Sequence, residues 1–235
     1  MVLLEKGQAA EIRWLNLSLM DQKQDWYLAL NPNGVVPTLL HGEQVLFESN
    51  VINEYLDAVL PQPALVPEDI HLQAEMRMWM AFELEWAKPF RQAIYETYGK
   101  RRVRDSGLDE PSLRREIAAR TSNPVYQSLA IKNLLEDKNE QLLKVSVTII
   151  KERMQWMEQE LSDGRSFLLG ENFSLADIAL APRLDLFELI EVQDFYSSFP
   201  NIQAYMTRIK ARPSWRDSDL QPDAALNPTI LKCAD

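Results

Sequence analysis

The stretch Asn31-Pro32-Asn33-Gly34-Val35-Val36-Pro37-Thr38-Leu39-Leu40, with Phe47-Glu48-Ser49-Asn50 shortly after it, decides the fold. The residue before a proline is pushed out of the helical region, so a helix over about Gln24 to Leu30 stops at Asn31-Pro32. Gly34 permits the turn that follows. Thr38 to Leu40 and Gln44 to Phe47 read as two short strands around His41-Gly42-Glu43, a hairpin-type connection with a turn glycine. Val51, Ile52, Tyr55, Leu56 and Val59 then recur at i, i+1, i+4, i+5 and i+8, the stripe of an amphipathic helix. Upstream, Ile12 and Trp14 alternate with Glu11 and Arg13, and Leu15 and Leu17 flank Asn16. This period-two pattern predicts a strand over residues 10 to 18 whose apolar face switches at Trp14-Leu15. The first quarter, residues 1–60, is therefore a small α/β unit.

Pro61, Pro63 and Pro67 break the helical pattern and mark a linker over residues 61–67. Residues 68–235 read as an all-helical domain. Helices are expected over about 69 to 98 with a kink at Pro89, 128 to 161, Ser174 to Ile190, and Pro200 to Lys210. Between the first two, Arg101 to Gln127 is a polar excursion with a short helix near 112 to 120. Ser174-Leu175-Ala176-Asp177 is a capping-box variant: the Ser174 hydroxyl accepts from the Asp177 N–H and the Asp177 carboxylate reaches back to the Ser174 N–H. This is structural chemistry rather than catalysis. Trp79, Phe82, Trp86 and Phe90 share one face of the first long helix, a face suited to core packing and also to walling an apolar pocket between the domains.

The net charge of −10 and pI near 4.8 argue against nucleic acid or an anionic membrane surface, which need clustered Lys and Arg. Lys100, Arg101, Arg102 and Arg104 form a basic cluster, but Asp105, Asp109 and Glu110 follow it, and it reads as a solvated helix end or loop. The single cysteine, Cys233, excludes a disulfide framework. The two histidines, His41 and His71, have no zinc-site spacing, so no metal is expected. Without a long apolar run or a signal-peptide pattern at Met1 to Gly7, a cytoplasmic location is the expectation.

The order of these motifs, from Asn-Pro-x-Gly-x-Val-Pro and Glu-Ser through the proline-rich linker and long helices to Ser-x-Ala-Asp, resembles the glutathione transferase superfamily. Leu4-Glu5-Lys6-Gly7 looks like the end of that family's first helix, and Phe199-Pro200-Asn201-Ile202 with Ala211-Arg212-Pro213 resembles its penultimate helix. The excursion over 101 to 127 is similar to one in bacterial β-etherase-type members. The resemblance implies a thioredoxin-like first domain, a helical second domain and glutathione as cosubstrate. It also implies a homodimer and a detoxifying role. Pro37 would be the cis-proline, and Val36 would offer its N–H and C=O to the cysteinyl part of glutathione. Ser49 would bind the γ-glutamyl carboxylate with its hydroxyl and the helix-start N–H, and Glu48 would face the ammonium. Gln22 and Lys23 are candidates for the glycyl carboxylate. From these two residues alone, Glu48-Ser49 reads as an ordinary helix cap; with Val36-Pro37 upstream at the family's spacing, the reading turns to ligand binding.

The sequence departs from the family at its start. A complete member carries a first strand, and a turn bearing a catalytic Ser, Cys or Tyr, ahead of the Leu-x-Glu-Lys-Gly segment, whereas Met1 stands inside the first helix. The thioredoxin-like domain thus reads as incomplete, with the first strand absent and the catalytic residue unassigned. Ser18 follows the second strand, and Cys233 is near the end and reads as a bystander. A start upstream of Met1 is the expectation; strand re-pairing within the chain and a strand from another chain are the alternatives. The leading functional expectation is a glutathione-dependent transferase or lyase, whose bound thiolate attacks a small apolar electrophile in a pocket walled by Trp79, Trp86 and Phe90. The alternative is a non-catalytic interaction module that keeps the fold.

Overall fold

The structure is a computed structural model describing residues 1–17, 20–105, 107, 109–190 and 196–218. Ser18 and Cys233 lie outside the described residues. The chain opens with α1 (Val2–Glu5), an irregular segment and a 3₁₀ turn at Asp21–Lys23, then α2 (Asp25–Leu30). A hairpin of β1 (Thr38–His41) and β2 (Gln44–Phe47) follows, then α3 (Ser49–Val59). The strands pair antiparallel with Thr38 opposite Phe47 and His41 opposite Gln44. Gly42 at φ +61 opens the two-residue turn, the position at which the turns that match strand twist require a positive φ. Leu39 and Leu46 face each other and pack on a core to which α3 contributes Ile52 and Leu56.

The strand expected over residues 10 to 18 does not form; residues 8–16 are irregular. Alternation supplies two faces but not hydrogen-bond partners, and a strand needs a ladder. Here the nearest free edge, that of β1, is separated from the segment by a cavity of about 760 Å³. Ala9, Arg13 and Leu15 line one side, and Leu39 and Leu40 the other. Ile12 and Trp14 are accordingly left exposed, at 66% and 50%.

The remaining regular elements of the described chain are mainly helices: α4 (Ile70–Ile94), a π-helical turn at Tyr95–Gly99, α5 (Lys100–Asp105), α6 (Glu110–Arg120), α7 (Pro124–Leu135), α8 (Glu140–Glu160), α9 (Leu175–Asp185), α10 (Pro200–Lys210) and α11 (Pro213–Arg216). Pro89 lies inside α4, which continues past it for another turn. The single helix expected over 128 to 161 is two, because residues 136–139 are claimed by other bonds. Asn139 caps α8 by accepting from the Leu142 N–H, Glu96 accepts from the Asn139 N–H at 2.6 Å, and Lys100 donates to the Asp137 carbonyl at 2.9 Å. The helix expected over 174 to 190 is α-helical only to Asp185, with a 3₁₀ segment at Leu186–Ile190. Its capping box is present, although the Ser174 hydroxyl accepts from the Ala176 N–H, at 3.3 Å. Fully buried Asp177 accepts from the N–H groups of Ser174 and Leu168 and from the hydroxyls of Ser174 and Tyr205.

Ion pairs fasten the α/β unit to the linker and the helical domain. Lys6 reaches Asp57 at 2.5 Å, and Asp57 also accepts from the N–H groups of Leu65 and Val66 in the linker. Arg212 grips Glu5 through two bonds of 2.9 and 2.8 Å and lies 3.8 Å over the Phe173 ring. Bidentate geometry on a half-buried pair is the arrangement in which an ion pair contributes measurably. No helix among the described residues is long and apolar enough to cross a membrane.

Candidate functional site

The loop between α2 and β1 is pinned from beneath. Buried Asn31 donates to the Val35 carbonyl at 2.8 Å and to Thr38 Oγ1 at 3.2 Å, and accepts from the Asn33 N–H. The Tyr27 hydroxyl donates to the same Val35 carbonyl at 2.7 Å. One residue on, Val36 is 43% exposed, and among the described residues neither its N–H nor its C=O makes a hydrogen bond. The Val36–Pro37 peptide is cis. A rigidly mounted, exposed and unpaired main-chain unit is a ready partner for an extended peptide.

The hairpin register brings a second feature to this place. Thr38 pairs with Phe47, so Val36-Pro37 and Glu48-Ser49 leave the same end of the two strands. Glu48 adopts φ 71, ψ 111 and makes no side-chain capping bond to α3. A non-glycine residue there costs about 1–3 kcal/mol, and such strain gathers at ligand clamps. The ordinary capping role is thus not taken up by Glu48, and the first N–H groups of α3 keep their positive potential for an external acceptor. Glu48 and Ser49 are both exposed.

Lys23 supplies a third feature. Its Nζ donates to the Asn33 carbonyl at 3.0 Å and stands 4.5 Å over the Tyr126 ring. Among the described residues no carboxylate pairs with it. Desolvation by partial burial holds its pKa below the ordinary lysine value. Gly34, at φ +56, makes room for it, since a Cβ there would lie 2.6 Å from Nζ. A desolvated cation with only neutral neighbours is stabilised by an incoming anion. Beside it, the Gln22 side chain is buried with its Oε1 unpartnered.

Comparison with known proteins identifies the family. The glutathione S-transferase N-terminal domain model matches residues 1–59 and the C-terminal domain model residues 109–213. The chain belongs to the glutathione transferase superfamily. The protein LigF of Sphingobium sp. (strain NBRC 103272 / SYK-6) is 28% identical over 229 residues, covering 92% of this chain and 85% of LigF. A glutathione S-transferase of Hyoscyamus muticus is 26% identical, covering 91% and 87%. The crystal structure of the β-etherase LigF superposes with a TM-score of 0.76 at 26% identity, over 92% of this chain and 90% of that one. A theta class transferase of Xanthomonas axonopodis pv. citri with glutathione bound shares the fold, with a TM-score of 0.67 at 24% identity over 92% and 86%. The chain is thus similar to the β-etherase LigF over most of its length, with an α/β N-terminal unit and a helical C-terminal part.

The structure sets Val36, Pro37, Glu48 and Ser49 at one end of the hairpin, and Lys23 against the loop that leads into it. The aromatic face of α4 turns inward. Trp79, Trp86 and Phe90 are buried at 6%, 0% and 3% exposure. Trp86 stacks on Phe187 at 5.8 Å, Phe90 meets the same ring at 5.3 Å, and Trp79 lies 5.0 Å from Trp156. These three side chains belong to the packed interior, and the 760 Å³ cavity is lined by other residues. Sequence reasoning missed Asn31, Tyr27 and Tyr126. The Asn-Pro pair flagged Asn31 only as a helix stop, and nothing local marks a contact from Lys23 to a residue on α7.

Proposed function

We propose that the chain binds glutathione at the hairpin end and directs its thiolate at a small apolar electrophile, in transfer or in cleavage. One juxtaposition carries the reading: the free main chain of Val36 beside the uncapped start of α3. In this reading Val36 pairs with the cysteinyl unit through its N–H and C=O, and Pro37 closes that strand-like contact. The Ser49 hydroxyl and the first N–H groups of α3 donate to the γ-glutamyl carboxylate, Glu48 accepts from the ammonium, and Lys23 takes the glycyl carboxylate. With both ends held, the thiol is fixed between them; its sulfur forms a bond to the electrophilic carbon as the leaving group departs with the bonding pair.

Residues 1–60 then act as the glutathione-binding domain, 61–67 as linker and 68–235 as the helical domain. A second copy of the chain is the proposed partner, through the α/β unit and α4, where Val51 and Met78 are 54% and 70% exposed. A reducing cytoplasm is the proposed setting, since it keeps the glutathione thiol free.

The test is retention of the purified chain on immobilised glutathione and its elution by free glutathione. Specific elution is the expected result. A chain that flows through would overturn the transferase reading in favour of a fold-only interaction module.

A further inference from the structure

The turn that carries Lys23 is held from outside the α/β unit. Met20 sits in the left-handed region at φ 67, and its side chain enters a small second core with Leu113, Ile117, Ala130 and Leu134. The other four members come from α6 and α7, so Met20 is one point at which this helical hairpin is fastened to the rest of the site. Asp21 accepts from Arg120 Nε at 3.0 Å while also accepting from the Asn16 N–H and the Gln24 amide. Lys23 is covered by the Tyr126 ring at 4.5 Å. Three of four consecutive residues, Met20, Asp21 and Lys23, are thus each met by α6 or α7.

The choice of partners has a consequence. A carboxylate opposite Lys23 would neutralise it and compete with any anionic ligand. A carbonyl oxygen and an aromatic face hold the ammonium in place and leave its charge uncompensated. Tyr126 also lies in the first turn of α7, whose dipole adds positive potential on the same side.

We propose that the α6–α7 hairpin is the specificity-determining wall for the glycyl end of the ligand, with Tyr126 facing the ligand beside Lys23 and Arg120 acting as a positioning residue through Asp21. This rests on the reading that Lys23 takes the glycyl carboxylate. The residues select for a free terminal carboxylate, and a ligand whose terminus is esterified loses the contribution of the hairpin.

Calorimetric titration with glutathione and with its glycyl monoethyl ester tests this, using the unaltered chain, Tyr126→Ala, Tyr126→Phe, Arg120→Met and Arg120→Lys, each checked for folding by circular dichroism. The unaltered chain is expected to prefer the free acid by about tenfold or more, the size of one charge-assisted hydrogen bond. Tyr126→Ala and Arg120→Met should each weaken glutathione binding by about three- to tenfold and leave ester binding unchanged. Tyr126→Phe keeps the ring and Arg120→Lys keeps a donor, so both should retain most of the preference. Equal weakening of both probes, or no change in either, overturns the inference while the glutathione reading stands. Failure of the unaltered chain to bind either probe overturns both.

Discussion

Replacing Asp177 by Ala removes the buried acceptor at the start of α9, and the structure fixes both the size and the pH dependence of the loss. Its carboxylate receives the Leu168 N–H at 2.9 Å, the Ser174 N–H at 2.8 Å and the Tyr205 hydroxyl at 3.1 Å. The Ser174 hydroxyl donates to it as well, at 3.1 Å. At about 2 kcal/mol for each of the two N–H groups left unanswered and about 1 kcal/mol for each of the two hydroxyl bonds lost, the cost is about 6 kcal/mol while the acid is neutral. Desolvation by burial pushes the Asp177 pKa up to about 6, against the hydrogen bonds that oppose it. The folded state therefore holds a proton that the unfolded chain releases near pH 4. This raised pKa means that stability is full below the unfolded value and declines as pH rises to about 6. The decline is about 3 kcal/mol, at 1.4 kcal/mol per pH unit. Since the Ala variant lacks this decline, the gap between the two proteins shrinks from about 6 kcal/mol near pH 4 to about 3 kcal/mol at pH 7. At pH 7 that corresponds to a melting temperature lower by about 6–12 °C for a chain of this size. Urea unfolding followed by tryptophan fluorescence at pH 4.5 and pH 7 measures both gaps. A gap that is constant or widens with pH, or a melting shift under about 2 °C, would rule out this role for the Asp177 carboxyl.

Two further perturbations rest on local geometry. Glu96→Ala strips the buried Lys100 ammonium of its partner at 2.7 Å and leaves the Asn139 N–H unanswered. Thermal unfolding should show a loss of about 3–5 kcal/mol. Pairing it with Lys100→Met should recover much of that loss, and a double variant no more stable than the single one contradicts the account. Gly34→Ala places a methyl 2.6 Å from Lys23 Nζ and 2.8 Å from Leu28 Cδ2 at φ +56. It should cost about 1–2 kcal/mol in a melting experiment and weaken glutathione in a titration by more than that strain alone predicts. Unchanged affinity would separate Lys23 from the site.

The parts of the fold that were readable from sequence are those whose determinants are local. The hairpin and α3 follow from Gly42, the alternation of Thr38 to Phe47 and the Val51–Val59 stripe, and the cap of α9 from Ser174 and Asp177. The strand predicted over 10 to 18 failed because pairing is a property of two segments, and across from this one is a cavity. The break between α7 and α8 escaped because it is enforced by Glu96 and Lys100, some 40 residues upstream. Of the candidate site, Val36-Pro37 and Glu48-Ser49 were visible as spaced motifs. The aromatic face of α4 was visible as a face, but whether a face meets the interior or a cavity depends on Phe187 and Trp156, which no local pattern indicates. The environment of Lys23 required a contact with Tyr126 across more than a hundred positions.

In the proposed binding mode one ligand is gripped at opposite ends by Ser49 and Lys23. Calorimetric titration of glutathione into the unaltered chain, Ser49→Ala, Lys23→Gln and the double variant tests it most directly. About tenfold weakening is expected for each single change and near-multiplicative weakening for the pair, as for independent contacts at separate ends of a peptide. Binding in which neither change matters, or no binding by the unaltered chain, would contradict it.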